Sequence, residues 1–103
     1  VELDGSGRVT IGDEAVFDVF VSDPDGNAYP ADEIDAVKYL LYDATGALVE
    51  VGEGVLDMDG HYIVTLSGDT TAALAAGSNT LEVAVTPIPA AVPSFATFEF
   101  VTE

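Results

Sequence analysis

The chain has 103 residues, of which 49% are hydrophobic, and its 19 acidic and 2 basic residues give a formal net charge of −17. This length predicts a single domain over residues 1–103, and the hydrophobic fraction is sufficient for a packed core. Two basic side chains cannot neutralise a nucleic-acid backbone, no apolar run is long enough for membrane insertion, and a chain without cysteine forms neither disulfides nor thiolate metal sites.

Apolar and polar residues alternate with a period of two along most of the chain, which is typical of β-strands. In residues 15–22 this alternation puts Phe17, Val19 and Val21 on one face of a strand. Segments rich in glycine, proline, aspartate and asparagine separate the alternating stretches and predict turns. The predicted strands are residues 8–11, 15–22, 34–43, 47–51, 61–66, 79–86 and 95–102.

One segment interrupts the β pattern. Asp69 is a good residue to cap the start of a helix, Gly77 is a good residue to follow its end, and alanine dominates between them. The sequence therefore predicts a short helical turn near residues 69–76. About seven strands without regular alternation of strands and helices predict an all-β fold, an immunoglobulin-like two-sheet antiparallel sandwich. A small barrel is the alternative.

Several predicted strands carry large apolar side chains on both faces, and both faces of one strand cannot belong to a single core. In residues 34–43, Leu40 and Tyr42 lie opposite Tyr39 and Leu41. An outer apolar patch that docks on a neighbouring domain explains this pattern, and a bulge or a rim position is the alternative. The residues predicted to form the docking patch are Phe20, Leu40, Tyr42, Phe98 and Phe100.

Two acidic turns are candidates for calcium binding. Asp23, Asp25 and Asn27 offer oxygen ligands at positions 1, 3 and 5, but Ala28 and Ile34 stand where an EF-hand loop needs glycine and glutamate. The second turn, 57–60, holds two carboxylates. Hydrogen bonding of aspartate and asparagine to their own backbone accounts for such turns without a metal, so none is predicted. If calcium binds by combining loops at one end of the sandwich, the candidate ligands are Asp23, Asp25, Asn27, Asp57 and Asp59.

His61 is the single histidine of the chain. A hydrolytic triad needs a serine and a carboxylate around a histidine, and no G-x-S-x-G motif is present. One histidine without cysteine does not supply the ligands of a zinc site either. The sequence predicts a domain that is not an enzyme and has no cofactor.

Four segments resemble a known bacterial module. They are V-x-D-P-D-G-N-x-Y-P, which contains Asp23–Pro30, followed by Val37–Gly46, Ala76–Val85 and Pro93–Thr102. Together they resemble the immunoglobulin-like domain at the C-terminal end of some family 5 extracellular solute-binding proteins, the peptide-binding proteins that feed ABC importers. In those proteins the two lobes of a separate domain hold the substrate, so the resemblance assigns no ligand-binding residue to this chain.

The resemblance implies an accessory domain that acts as a spacer or docking module in a secreted, periplasmic or cell-surface bacterial protein. The chain begins at Val1 rather than methionine, which is expected for a C-terminal piece of a longer protein. The expected partner is a neighbouring domain of that parent. The alternative is an adhesion or glycan-binding surface module, stabilised by calcium. The sequence leaves the oligomeric state open.

Overall fold

A computed structural model of the chain describes residues 2–5, 7–22, 34–57, 61–74, 76–87 and 94–103, and shows two β-sheets packed face to face. The four-stranded sheet has the order β1-β3-β7-β6, and the five-stranded sheet has the order β2-β9-β8-β4-β5. The elements are β1 (Glu2–Gly5), β2 (Arg8–Val9), β3 (Ala15–Phe20), β4 (Ile34–Tyr42), β5 (Leu48–Glu53), β6 (Val55–Leu56), β7 (Tyr62–Leu66), α1 (Gly68–Ala72), β8 (Gly77–Pro87) and β9 (Ser94–Thr102).

This strand order is that of an immunoglobulin-like sandwich, in which strands distant in sequence lie side by side in each sheet. The prediction of an all-β, two-sheet sandwich is therefore confirmed. The described strands number nine rather than about seven because the structure adds β1 and resolves the two-residue β6.

The N-terminal segment departs from the antiparallel prediction. β1 pairs antiparallel with β3, but β2 crosses to the other sheet and pairs in parallel with β9. Three backbone hydrogen bonds hold this pairing: Val101 N donates to Gly7 O at 2.8 Å, Glu103 N donates to Val9 O at 3.0 Å, and Ile11 N donates to Glu103 O at 3.0 Å. The same short segment thus borders both sheets.

The helical turn is shorter than predicted. It runs from Gly68 to Ala72, and the cap at its start is Ser67, whose hydroxyl accepts a hydrogen bond from Thr70 N at 3.2 Å. Asp69 lies in the first turn, where a negative charge is favourable, instead of capping it. Gly77 has a positive φ of 146° and begins β8, so it does not end the helix as predicted.

The core lies between the sheets and is centred on Phe17 of β3. The Phe17 ring packs at 5.6 Å from the ring of Phe98 and at 5.3 Å from the ring of Phe100, which joins β3 to β9 across the two layers. The buried apolar side chains are Val9, Ala15, Phe17, Val19, Val37, Tyr39, Leu41, Val64, Leu66, Leu74, Leu81, Val83, Val85 and Phe100. Phe17 and Val19 of the face predicted for residues 15–22 are among them, and Val21 of that face is partly buried against the core.

The predicted outer position of Phe98 and Phe100 is wrong. Phe100 is only 1% exposed, and Phe98 is partly buried against the core. The opposite face of β9 points to solvent, with Phe95 60% exposed and Val101 39% exposed. The reason is the contact with Phe17, which only one face of β9 can make.

A buried threonine connects α1 to the turn that precedes β3. Thr71 is fully buried, its hydroxyl accepts a hydrogen bond from Gly12 N at 3.1 Å, and it donates to the carbonyl of Asp13 at 2.7 Å. A five-residue helix has little stability of its own, so tertiary contacts such as these must hold it in place.

Exchange of Phe100 for aspartate is expected to unfold the domain at 25 °C, because a lost core phenylalanine costs about 3–5 kcal/mol and an unpaired buried charge adds to that cost. Phe95→Asp makes the same change of charge on the exposed face of the same strand and is expected to remain folded. Circular dichroism and urea denaturation measure both. A cooperative, stable Phe100→Asp variant would contradict the assignment of Phe100 to the core.

Thr71→Val keeps the shape of the side chain and removes its hydroxyl. We expect a loss of about 1–2 kcal/mol in the free energy of unfolding, because Gly12 N and Asp13 O lose their hydrogen-bond partner. The matched control is Thr65→Val on the exposed face of β7, which should change stability by less than about 0.5 kcal/mol. Equal stability of the two variants in urea would show that Thr71 does not anchor α1.

Candidate docking surface

The exposed apolar side chains are concentrated in one short segment of the chain. The large apolar side chains exposed in the described part of the chain are Val16, Phe20, Leu48, Val51, Val55, Leu56, Phe95 and Val101. Half of them fall between Leu48 and Leu56, in β5 and β6. Single exposed apolar side chains are common on soluble proteins, whereas a contiguous group of them is typical of a binding surface.

Two of these side chains, Leu48 and Val51, lie opposite half-buried apolar side chains of β4. In the antiparallel register Leu40 lies opposite Val51, and Tyr42 lies opposite Leu48. All four point away from the core, since the alternate residues of β4 are buried. Leu48 is 52% exposed and Val51 is 57% exposed, while Leu40 and Tyr42 are half-buried. We call this group the β4–β5 cluster.

The backbone of β5 is fixed from the core side by Tyr39. Its ring covers Gly52, where a Cβ atom would lie 2.5 Å from Tyr39 Cε1, so only glycine leaves room for the ring. The Tyr39 hydroxyl donates to Glu50 Oε2 at 2.7 Å, and the hydroxyl of Thr70 donates to Glu50 Oε1 at 2.8 Å. Glu50 therefore ties β5 to both β4 and α1. The strand that carries Leu48 and Val51 is therefore held in position by contacts on its inner face.

A register shift at the start of β5 allows Glu50 and Val49 to share the inner side. Leu41 pairs with Glu50, but Tyr42 pairs with Leu48, so Val49 is an extra residue in β5. Val49 packs against the core. The bulge also turns Leu48 outward beside Tyr42, which completes the β4–β5 cluster.

The hydrogen bond between Tyr39 and Glu50 predicts a loss of stability at alkaline pH. Burial, followed by the hydrogen bond to Glu50 and the charge of Glu50, raises the pKa of Tyr39 from 10.0 to about 12. Since the folded-state pKa lies above the unfolded value, this stabilisation is complete below pH 10 and is lost as the pH rises to about 12. Burial also raises the pKa of Tyr62, which acts in the same direction.

We therefore expect the free energy of unfolding to fall over this pH range, and to fall less steeply in Tyr39→Phe. Urea denaturation at a series of alkaline pH values measures the slope, and absorbance of the phenolate follows the titration itself. Tyr62→Phe serves as the comparison. Wild type and Tyr39→Phe with the same alkaline slope would show that Tyr39 is not the group responsible.

The outer face of the four-stranded sheet carries a cluster of side chains around His61. The ring of His61 stacks on Phe20 at 5.0 Å, and His61 Nε2 lies 3.2 Å from Asp18 Oδ1 and 3.7 Å from Asp57 Oδ2. These contacts are ion pairs only when the imidazole is protonated. They orient His61 between two carboxylates, and they cover part of Phe20, which is 40% exposed.

The predicted docking residues thus occupy three places. Leu40 and Tyr42 lie on the outer face of the five-stranded sheet, Phe20 lies on the outer face of the four-stranded sheet, and Phe98 and Phe100 lie inside. The prediction of one patch from all five is wrong in its geometry. Sequence reasoning missed Leu48 and Val51, because their exposure depends on the edge position of β5 and on the extra residue Val49.

The candidate calcium ligands are only partly described. Asp57 lies beside His61, while Asp23, Asp25, Asn27 and Asp59 lie outside the described residues. Within the described ranges, no three histidine or carboxylate side chains converge in a way that would hold a metal ion. Among the same residues no helix has the length and apolar character needed to cross a bilayer.

Comparison with known proteins gave no relative from which a role could be transferred. No protein-family model matches the chain, and no curated protein is significantly similar to it in sequence. A functional assignment therefore depends on the residues and on the geometry described above.

Proposed function

We propose that this domain is a non-catalytic docking module that binds a neighbouring domain of a larger protein through the β4–β5 cluster. The observation that carries the proposal is the adjacency of Leu40, Tyr42, Leu48 and Val51 on one outer face. Water disfavours contiguous apolar area, and covering it on docking releases free energy in proportion to the area buried. The rigid attachment of β5 through Glu50 suits such a surface, since little ordering is needed on binding.

We further propose that the parent is an exported solute-binding protein of a peptide ABC importer, located outside the cytoplasmic membrane. This assignment is supported by the resemblance of the segments Asp23–Pro30, Val37–Gly46, Ala76–Val85 and Pro93–Thr102 to the C-terminal immunoglobulin-like domain of that family. Two of these segments, β4 with its following turn and the first part of β8, pair directly in the five-stranded sheet. In this role the domain binds no transported solute itself. The alternative, an adhesion or glycan-binding module, remains a prediction.

The docking proposal is tested by producing this domain and the rest of its parent polypeptide separately and measuring their association by isothermal titration calorimetry. We expect Tyr42→Asp to weaken association by about tenfold or more, because it places a charge in an apolar contact. Phe95→Asp, with the same change of charge elsewhere on the same face, should bind as wild type does.

Both variants should keep the melting temperature of the wild type within a few degrees, since neither residue belongs to the buried core. Equal affinities of Tyr42→Asp and Phe95→Asp would contradict docking through the β4–β5 cluster. The absence of any association of the wild-type domain would contradict the accessory role altogether.

A further inference from the structure

The outer face of the five-stranded sheet continues beyond the β4–β5 cluster onto β8 and β9. Leu81 and Val83 of β8 are fully buried, so the residues that alternate with them lie on the outer face. The strand register arranges the outer side chains in rows that cross the sheet from β5 to β9. The first row is Leu48, Tyr42, Thr80 and Glu99, the second is Val51, Leu40, Glu82 and Thr97, and the third is Glu53, Lys38, Ala84 and Phe95.

The two cations on this sheet each have a carboxylate beside them. Lys38 stands directly opposite Glu53 in the β4–β5 pair, an arrangement of opposite charges that is favourable across strands. Arg8 lies on β2, at the far edge of the sheet, and its guanidinium is 2.8 Å from the carboxylate of Glu103. These two pairs leave the remaining carboxylates of the face without a cation.

Those remaining carboxylates belong to Glu82 and Glu99, and neither makes an ion pair with any residue in the described part of the chain. Glu82 stands opposite Leu40, and opposite side chains in an antiparallel pair have Cβ atoms about 4.5–5.5 Å apart. Both side chains are half-buried, whereas Glu99, in the next row, is exposed. A partner that covers Leu40 therefore reaches Glu82 as well.

Covering Glu82 has a cost that a cation of the partner offsets. A carboxylate that is removed from water without a partner loses its hydration, which costs free energy unless an opposite charge contacts it. A wholly apolar partner would leave Glu82 buried and unpaired, and an acidic partner would add repulsion. A second copy of this chain would bring the same glutamates and a further charge of −17. Arginine fits best, because its guanidinium bonds a carboxylate through two parallel hydrogen bonds.

We propose that the β4–β5 cluster is covered by a protein surface whose apolar side chains are bordered on one side by arginine or lysine, and that these cations pair with Glu82 and Glu99. This inference rests on the proposed docking function and specifies the chemistry of the partner. It also specifies an orientation, since the apolar half of the contact lies over β4 and β5 and the cationic half lies over β8 and β9.

The variant Glu82→Gln tests the pairing through the sign of its effect. Isothermal titration calorimetry of the domain with the rest of its parent polypeptide measures Kd at low and at high sodium chloride concentration. We expect Glu82→Gln to weaken association by about threefold or more and to reduce its dependence on salt, because an ion pair with the partner is lost. If the partner covers Glu82 without a cation, removal of the charge tightens association or leaves it unchanged, and either result overturns the inference.

Two further variants and a map of the contact complete the test. The double variant Glu82→Gln/Glu99→Gln should weaken association by about tenfold, whereas Glu2→Gln, the same change on β1 of the other sheet, should bind as wild type does. All three should keep the melting temperature of the wild type within a few degrees, since they are surface substitutions. Nuclear magnetic resonance of the isotope-labelled domain should show amide shifts in residues 80–82 and 97–99 as well as in β4 and β5. Shifts confined to β4 and β5 would contradict the cationic half of the contact.

Failure of this inference is distinguishable from failure of the docking function. Loss of association in Tyr42→Asp with unchanged affinity in the double variant would keep docking and remove the pairing with Glu82 and Glu99. Absence of association of the wild-type domain would remove both. A doubled mass of the free domain in sedimentation at micromolar concentration would identify a second copy as the occupant and would overturn the inference as well.

Discussion

The packing of Phe17 against Phe98 and Phe100 is the contact on which the rest of the molecule depends. It joins the middle of one sheet to the last long strand of the other, at ring separations of 5.6 and 5.3 Å. Burying one such ring is worth about 1.5–3 kcal/mol, with a further contribution from the geometry of the ring pairs. It also decides which side of β9 is inside. A shift of one residue would bury Phe95 and Val101 and expose Phe98 and Phe100, and the outer surface of the five-stranded sheet would change with it.

The sequence predicts the inner face of β3 because one face of that strand, which carries Ala15, Phe17 and Val19, is wholly apolar. β9 is different, since large apolar residues occur on both of its faces. The sequence nonetheless indicates which face of β9 is exposed to solvent. Thr97 and Glu99 share a face with Phe95 and Val101, and a face that contains a glutamate is the one that belongs in water. The prediction that Phe98 and Phe100 lie outside did not take Glu99 into account.

Other features could not be read from the residues in this way. Which strand lies at the edge of a sheet depends on pairings between strands far apart in sequence, and alternation says nothing about those pairings. The exposure of Leu48 and Val51 follows from β5 being an edge strand and from the extra residue Val49, neither of which leaves a local pattern. The parallel pairing of β2 likewise depends on where the N-terminal segment crosses between sheets. By contrast, Leu40 and Tyr42 could be assigned to an outer face because they alternate with Tyr39 and Leu41, which are buried.

The high negative charge and the apolar edge act together. An edge strand with exposed valine and leucine is a hazard in any soluble protein, because identical chains can pair through it. With 19 acidic and 2 basic residues, two copies of this domain repel each other. Repulsion between copies discourages self-pairing without any change to the apolar side chains. On the docking proposal, the same field favours a partner surface of opposite charge, and the exposed Leu48 and Val51 supply apolar area for the contact.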